Sequence, residues 1–456
     1  MPVEVVFPNA VSVTVRPARS ASRTAERPGS AGFAAARIAL MAAIVLATLA
    51  FGAVQAWAWG ALTALVVLAV VAWALASARR SAVRIAWTPL YLPTAVFLLL
   101  GVIQLQAHLT ADPAATREAV LKLVTDLLVF FLAVQLWNDQ APGSRRCFAL
   151  SSTLFAGALA LFAILQFFTS PDAIYGVVKP RWGGWIFGPY VNHNDYAGLM
   201  EMLIPIAVAY IVSMRAQPRR SPGGAPAAFA VLVALASVLL SGSRGGLVSM
   251  VVEIVLWALL LWRNFPGVSR RRGAAAGLLG LAAASALFLW MDPGRLWKRL
   301  GTVAELPRAP EATLGERRIV ARDTLRIFLD HPWLGTGLGS FGTVYPRYRS
   351  FASDLDWDHA HNDYAEALSE TGIAGGLAIA ASLGLFLFLA FRHLRERLDH
   401  GAGWIALGAA LGCCGLLVHS LVDFNLHIPA NAAWFSLCAG IAVSHSPARR
   451  GDEGQR

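Results

Sequence analysis

The stretch WDHAHNDYAEALSETGIAGG, residues 357–376, gathers Asp358, His359, His361, Asn362 and Asp363 just ahead of a strongly apolar run. Imidazoles beside carboxylates are the groups of general acid–base chemistry. Asp363 and Glu366 stand three apart before apolar residues, a capping-box-like pattern that predicts a helix starting near Tyr364. His361 then lies just ahead of a helix N-terminus, where the partial positive charge disfavours the imidazolium and keeps the ring able to accept a proton. Asp358 or Asp363 would oppose that shift or orient the ring. Plainer roles compete: a helix cap or loop hydrogen bond, a solvated acidic face, or ligation of a divalent ion by His359, His361 and Asp363. The spacing fits neither the helical H-E-x-x-H pair nor a calcium loop, so no metal is expected. The neighbouring DLDWD, 354–358, has no assigned role.

Other polar residues gather in three places. SGSRGG, 241–246, splits two apolar runs so tightly that they must form a hairpin turning at Arg244; a turn with a snorkelling arginine is the plain alternative to a site residue. KPRWGGWIFGPYVNHNDYAG, 179–198, carries Lys179, Arg181, His193, Asn194 and Asp195 among the aromatic anchors Trp182, Trp185 and Tyr190. Its NHNDYA echoes HAHNDYA near residue 360. ERRIVARDTLRIFLDHP predicts an amphipathic helix ending before Pro332, with Arg318, Arg322 and Arg326 on one face, closed by Asp330; on its own such a helix would lie on lipid headgroups. GTGLGSFG, 335–342, lacks the Lys-Ser/Thr ending of a phosphate loop and reads as a flexible turn.

The elements that must position these residues are membrane helices. With 57% hydrophobic and 14% charged residues, against roughly 25% charged in soluble domains, the chain is an all-α, polytopic membrane protein. The criterion of about 20 apolar residues predicts twelve spans, near 33–53, 57–76, 87–106, 120–137, 147–168, 196–214, 226–242, 245–262, 273–290, 373–391, 404–421 and 430–445. Arginines crowd the head and every second connection, from Arg79, Arg80 and Arg84 to Arg449 and Arg450. Cytoplasmic loops carry that excess, so both termini are expected inside and the long segment between spans nine and ten outside. This divides the chain into a disordered basic tail (1–32), a membrane domain of nine spans (33–290), an external loop with amphipathic helices (291–372), three further spans (373–446) and a short tail (447–456). The net charge of +11 is then mostly topological, and a nucleic-acid partner is not expected. Cys147, Cys413, Cys414 and Cys438 sit in or beside predicted spans, leaving the external loop without a disulfide.

These motifs together resemble one family. HAHNDYAEALSETGIAGG is similar to the His-Asn followed by Glu-Thr-Gly signature of the O-antigen ligase and polymerase family, membrane glycosyltransferases acting on undecaprenyl-diphosphate-linked glycans. DTLRIFLDHPWLGTGLGSFG resembles its His-Pro-x-x-Gly-x-Gly stretch and LSGSRGGLVSM its Ser-Arg-Gly hairpin. RWGGWIFGPYVNHNDYAGLMEMLIP and HSLVDFNLHIPANA resemble its earlier external loop and its last external turn, so the likeness runs over roughly 150–445. The resemblance implies His361 as catalytic base and Arg244 as a diphosphate-binding residue. Arg317 matches the arginine that starts the external helix, with Arg318 one register away and Arg181 a companion. Asn362, Asp363, Glu370 and Asp423 would support the site. It implies no cofactor, a bacterial inner membrane with the site on the periplasmic face, and transfer of a glycan to lipid A core. Polymerisation onto a second lipid-linked glycan and protein O-glycosylation are alternative acceptor choices. A transporter or flippase of lipid-linked sugars is an alternative of another class; Glu201 and Glu253, inside predicted spans, are the residues that favour it.

Overall fold

The computed structural model describes residues 3–6, 30–80, 83–138, 143–180, 184–215, 224–264, 314–352, 356–392, 398 and 401–444. Among them the chain is an all-α polytopic membrane protein. Eight helices are long and apolar enough to cross a bilayer: α1 (Ala31–Leu49 of Ser30–Leu49), α2 (Ala56–Ala78), α4 (Pro113–Trp137), α5 (Ser144–Thr169), α6 (His193–Met214 of His193–Arg215), α7 (Gly224–Ser241), α11 (Asp363–Phe391) and α12 (Gly401–His419). Two shorter apolar helices, α3 (Tyr91–Gln106) and α13 (Pro429–Val443), join them. α8 (Arg244–Asn264) follows the hairpin after α7. The span expected near 273–290 lies outside the described residues. Within the head expected as a tail, Val3–Val6 forms a short strand paired in parallel with Val83–Ala86.

Helix ends follow local chemistry. Asp112 caps α4 by accepting from the N–H groups of Ala114 and Ala115 at 3.0 Å each, and Pro113 fills the first position, where no N–H is needed. Outer helices expose large apolar side chains, among them Leu68, Leu75, Leu92 and Leu99, as suits a surface solvated by hydrocarbon, while backbone polar groups are satisfied within each helix. α6 and α12 are mostly buried and lie side by side at the centre. Gly408 and Gly412 allow that approach: a β-carbon on either would come within 2.7 Å of α6 backbone atoms, at Pro205 and Met202.

Before α11, α9 (Leu314–Asp330) and the four-residue α10 (Phe341–Val344) pack on its first turns. α9 and α10 enclose a small apolar core of Val320, Ile327, Phe341, Val344, Tyr345, Trp357 and Ala360. The buried carboxylate of Asp323 pins this cap, accepting from Ser350 N and Oγ at 3.0 and 2.8 Å and pairing with Arg326 at 3.1 Å. α11 is broken at Gly372 (φ 62°, ψ −161°), a conformation open to glycine alone. The break exposes backbone groups that the His-Pro turn satisfies: Ile373 N donates to Pro332 O at 2.7 Å and Ala374 N to Trp333 O at 3.2 Å.

The Gly-rich turn 335–342, expected to be flexible, is held. Glu370 accepts from Gly339 N at 2.8 Å and Phe341 N at 2.9 Å, and Gln104 from α3 receives Leu338 N at 3.0 Å while donating to the carbonyls of Leu334 and Glu370. Its composition allows flexibility, but buried partners on two other helices remove it.

Candidate active site

The polar residues meet at the end of the bundle where α11 begins and α12 turns into α13. The helix starts one residue earlier than the capping pattern suggested. Asn362, not Asp363, is the cap: its Oδ1 accepts from Ala365 N at 2.9 Å, and its amide donates to Leu421 O at 2.8 Å. Asp363 is thereby released to receive His427 Nδ1 at 2.8 Å. Glu366 reaches back as a capping-box residue would, but to Ala360 N at 2.6 Å.

His361 sits at φ 49°, the left-handed region, which costs a β-carbon residue about 1–2 kcal/mol. Its surroundings hold it there. The ring lies edge-on to Trp357 and Phe424, with centroids at 5.6 and 4.8 Å, and Nδ1 is 3.3 Å from Asp423 Oδ1. Asp423 is fully buried and also receives Phe424 N at 3.0 Å and Arg317 Nη1 at 3.5 Å. Burial alone would push the Asp423 carboxyl up, but the hydrogen bond from His361 and the neighbouring Arg317 guanidinium outweigh it and hold the group well below the usual carboxylate range.

Arg317 and Arg318 now separate. Arg317 turns inward, donating also to Val422 O at 3.2 Å with its side chain 18% exposed, whereas Arg318 is exposed. Arg244 is the exposed first residue of α8, whose start is capped by Ser243 Oγ accepting from Gly246 N at 3.1 Å. A β-carbon on the next residue, Gly245, would fall 2.4 Å from His419 and 3.2 Å from Val422, so Arg244 springs from backbone pressed against the turn that carries Asp423. Arg181 lies outside the described residues. Glu370 serves the Gly-rich turn, as described above.

The second His-Asn-Asp copy supports the hairpin. His193 is buried, stacks on Trp185 at 4.6 Å between centroids, and places Nδ1 2.8 Å from Ser241 O. Glu201 and Glu253 are both buried; Glu201 Oε1 lies 2.8 Å from His419 Nδ1 at the end of α12.

Sequence reasoning missed His427 and gave Glu366 only a capping role. His359 Nδ1 is 2.8 Å and His427 Nε2 3.2 Å from the same oxygen, Glu366 Oε1. Phe424 lies between this cluster and His361, stacked on His359 at 4.6 Å. Burial disfavours a charged His427, but Glu366 and Asp363 outweigh it and raise the ring to about 10. The one sequence signal was a histidine in the short connection HSLVDFNLHIPANA; nothing in one dimension linked it to residue 366.

A family model described as O-Antigen ligase matches residues 229–380, a segment that holds Arg244, Arg317, Arg318, His361, Asn362, Asp363 and Glu370 but not Arg181 or Asp423. No curated protein matches the chain.

Proposed function

We propose, from the match of the O-Antigen ligase family model to residues 229–380, that the chain is a member of that family and transfers a glycan from undecaprenyl diphosphate to an acceptor hydroxyl at the periplasmic face of the bacterial inner membrane. The observation that carries the reading is that His361 and Arg317 share one buried carboxylate, Asp423. An imidazole whose Nδ1–H is directed at a carboxylate keeps Nε2 as the proton-accepting nitrogen. His361 Nε2 takes the proton of the acceptor hydroxyl as its oxygen attacks the anomeric carbon. The bond from that carbon to the diphosphate oxygen breaks, and the lipid diphosphate leaves carrying the negative charge. Arg317 and Arg244 meet that charge, since guanidinium forks match phosphate oxygens and stay protonated at all working pH values. A single displacement inverts the anomeric configuration. Asn362 and Asp363 fix the helix start that carries His361, and the spans hold the prenyl tail.

The acceptor we favour is lipid A core. The test reconstitutes purified protein with a lipid-linked glycan, with and without core. A product formed only with core supports the ligase; a ladder formed without core makes the protein a polymerase. Lipid crossing the bilayer with no new bond in either arm defeats the transferase reading in favour of a flippase. His361→Ala and Arg244→Ala are expected to insert normally and to abolish transfer.

A further inference from the structure

The cluster across Phe424 from His361 has a geometry that the proposed transfer does not use. Two imidazole nitrogens converge on one oxygen: His359 Nδ1 and His427 Nε2 stand 2.8 and 3.2 Å from Glu366 Oε1, and all three atoms lie within 4.8 Å of one another. The other nitrogen of His427 is already committed, 2.8 Å from Asp363 Oδ1. If His427 donates its Nδ1–H to that carboxylate, its Nε2 lone pair faces a carboxylate lone pair. Such an approach is repulsive unless something positive sits between the two atoms. That something is either a second proton on His427 or a metal ion.

In the metal-free chain the proton serves, and the donor set suits an ion that displaces it. Two imidazoles and one carboxylate form a familiar zinc ligand set, with bonds of about 2.0–2.2 Å, so tetrahedral ligand atoms stand roughly 3.3 Å apart. The His427–Glu366 separation of 3.2 Å already has that value, the His359–Glu366 separation of 2.8 Å needs to open by a few tenths of an ångström, and the edge between the two imidazole nitrogens, within 4.8 Å, closes toward it as the ion binds. Asp363 supplies the outer carboxylate that fixes the tautomer of a metal-binding histidine. Glu366 is anchored through its second oxygen by Ala360 N at 2.6 Å, so the ligand arm is rigid. The rings of His359 and His427 keep 30% and 29% exposure, which gives an ion an entry path and leaves a fourth position for water.

We propose that His359, Glu366 and His427 bind a divalent cation of the zinc class, clasping the start of α11 to the turn between α12 and α13. The spacing of His359, His361 and Asp363 in sequence gave no metal motif because the third ligand comes from a turn about sixty residues away and His361 is directed at Asp423 instead. The three ligands stand apart from the transfer chemistry: none is a group assigned to the diphosphate or the acceptor proton.

The test uses the full-length protein purified in detergent without chelator. Elemental analysis is expected to find about one zinc per chain. Protein stripped with a chelator should melt several degrees lower and regain that loss when Zn²⁺ is titrated back with one-site saturation. Glu366→Gln and His427→Gln are expected to weaken zinc binding by at least about 100-fold, whereas His331→Gln leaves it unchanged. A wild-type protein that binds no zinc at micromolar concentrations and melts identically with and without chelator overturns the proposal. So does zinc binding that survives undiminished in Glu366→Gln. Should either variant fail to fold, the wild-type titration decides alone. Metal content is read without a transfer assay, so failure of the transferase reading leaves this result standing.

Discussion

Asp423→Asn separates the proposed chemistry from mere packing. The change keeps the shape of the side chain but removes a charge that is fully buried and shared by His361 at 3.3 Å and Arg317 at 3.5 Å. Removing one partner of a buried pair costs about 3–5 kcal/mol; because Arg317 is 18% exposed and recovers some hydration, the lower end applies. The amide also offers either N–H or C=O to His361, so the ring loses its enforced tautomer. General-base catalysis contributes on the order of 10²–10⁴-fold, and a loss of that size is expected in single-turnover transfer measured in proteoliposomes. The pH dependence gives an independent reading. The Asp423 carboxyl is depressed in the folded state, so its stabilisation is fully present above the unfolded value of about 4 and is lost as pH falls through the lower folded value. The melting-temperature gap between wild type and Asp423→Asn should therefore be constant near neutrality and close below about pH 4. Transfer by Asp423→Asn within threefold of wild type, or a gap that does not change in acid, refutes the reasoning.

Other expectations follow from particular contacts. Arg317→Lys should lower transfer by about 10–100-fold, because one nitrogen, Nη1, holds both Val422 O and Asp423, and a lysine ammonium set there has no planar fork with which to match phosphate oxygens, while Arg318→Lys, at an exposed position, should stay within about threefold of wild type in the same assay. Gly372→Ala should destabilise by about 2–5 kcal/mol, since its positive φ excludes alanine and the new β-carbon would fall 2.4 Å from Trp333; thermal melts of the detergent-solubilised variant measure it.

The membrane helices and most of the candidate site residues were legible in one dimension. Apolar runs of bilayer length define themselves locally, and His361, Asn362 and Arg244 stood out as polar residues placed at costly positions beside such runs. The choice between Arg317 and Arg318 was not legible, because one step along a helix rotates a side chain by about 100° and only the docked helix says which side faces Asp423. Nor was the cap: Asn362 and Asp363 are both good capping residues, and His427, arriving from a distant turn, draws Asp363 away from that role. The Gly-rich turn was misjudged as flexible for the same kind of reason. Its rigidity resides in Glu370 and Gln104, which lie on two other helices. Sequence alone determined which segments are apolar enough to cross a bilayer and which residue types wait at their ends, since hydropathy and backbone preference act over a few turns. Only the tertiary structure decided which of those residues share a carboxylate, because that depends on contacts between segments far apart in the chain.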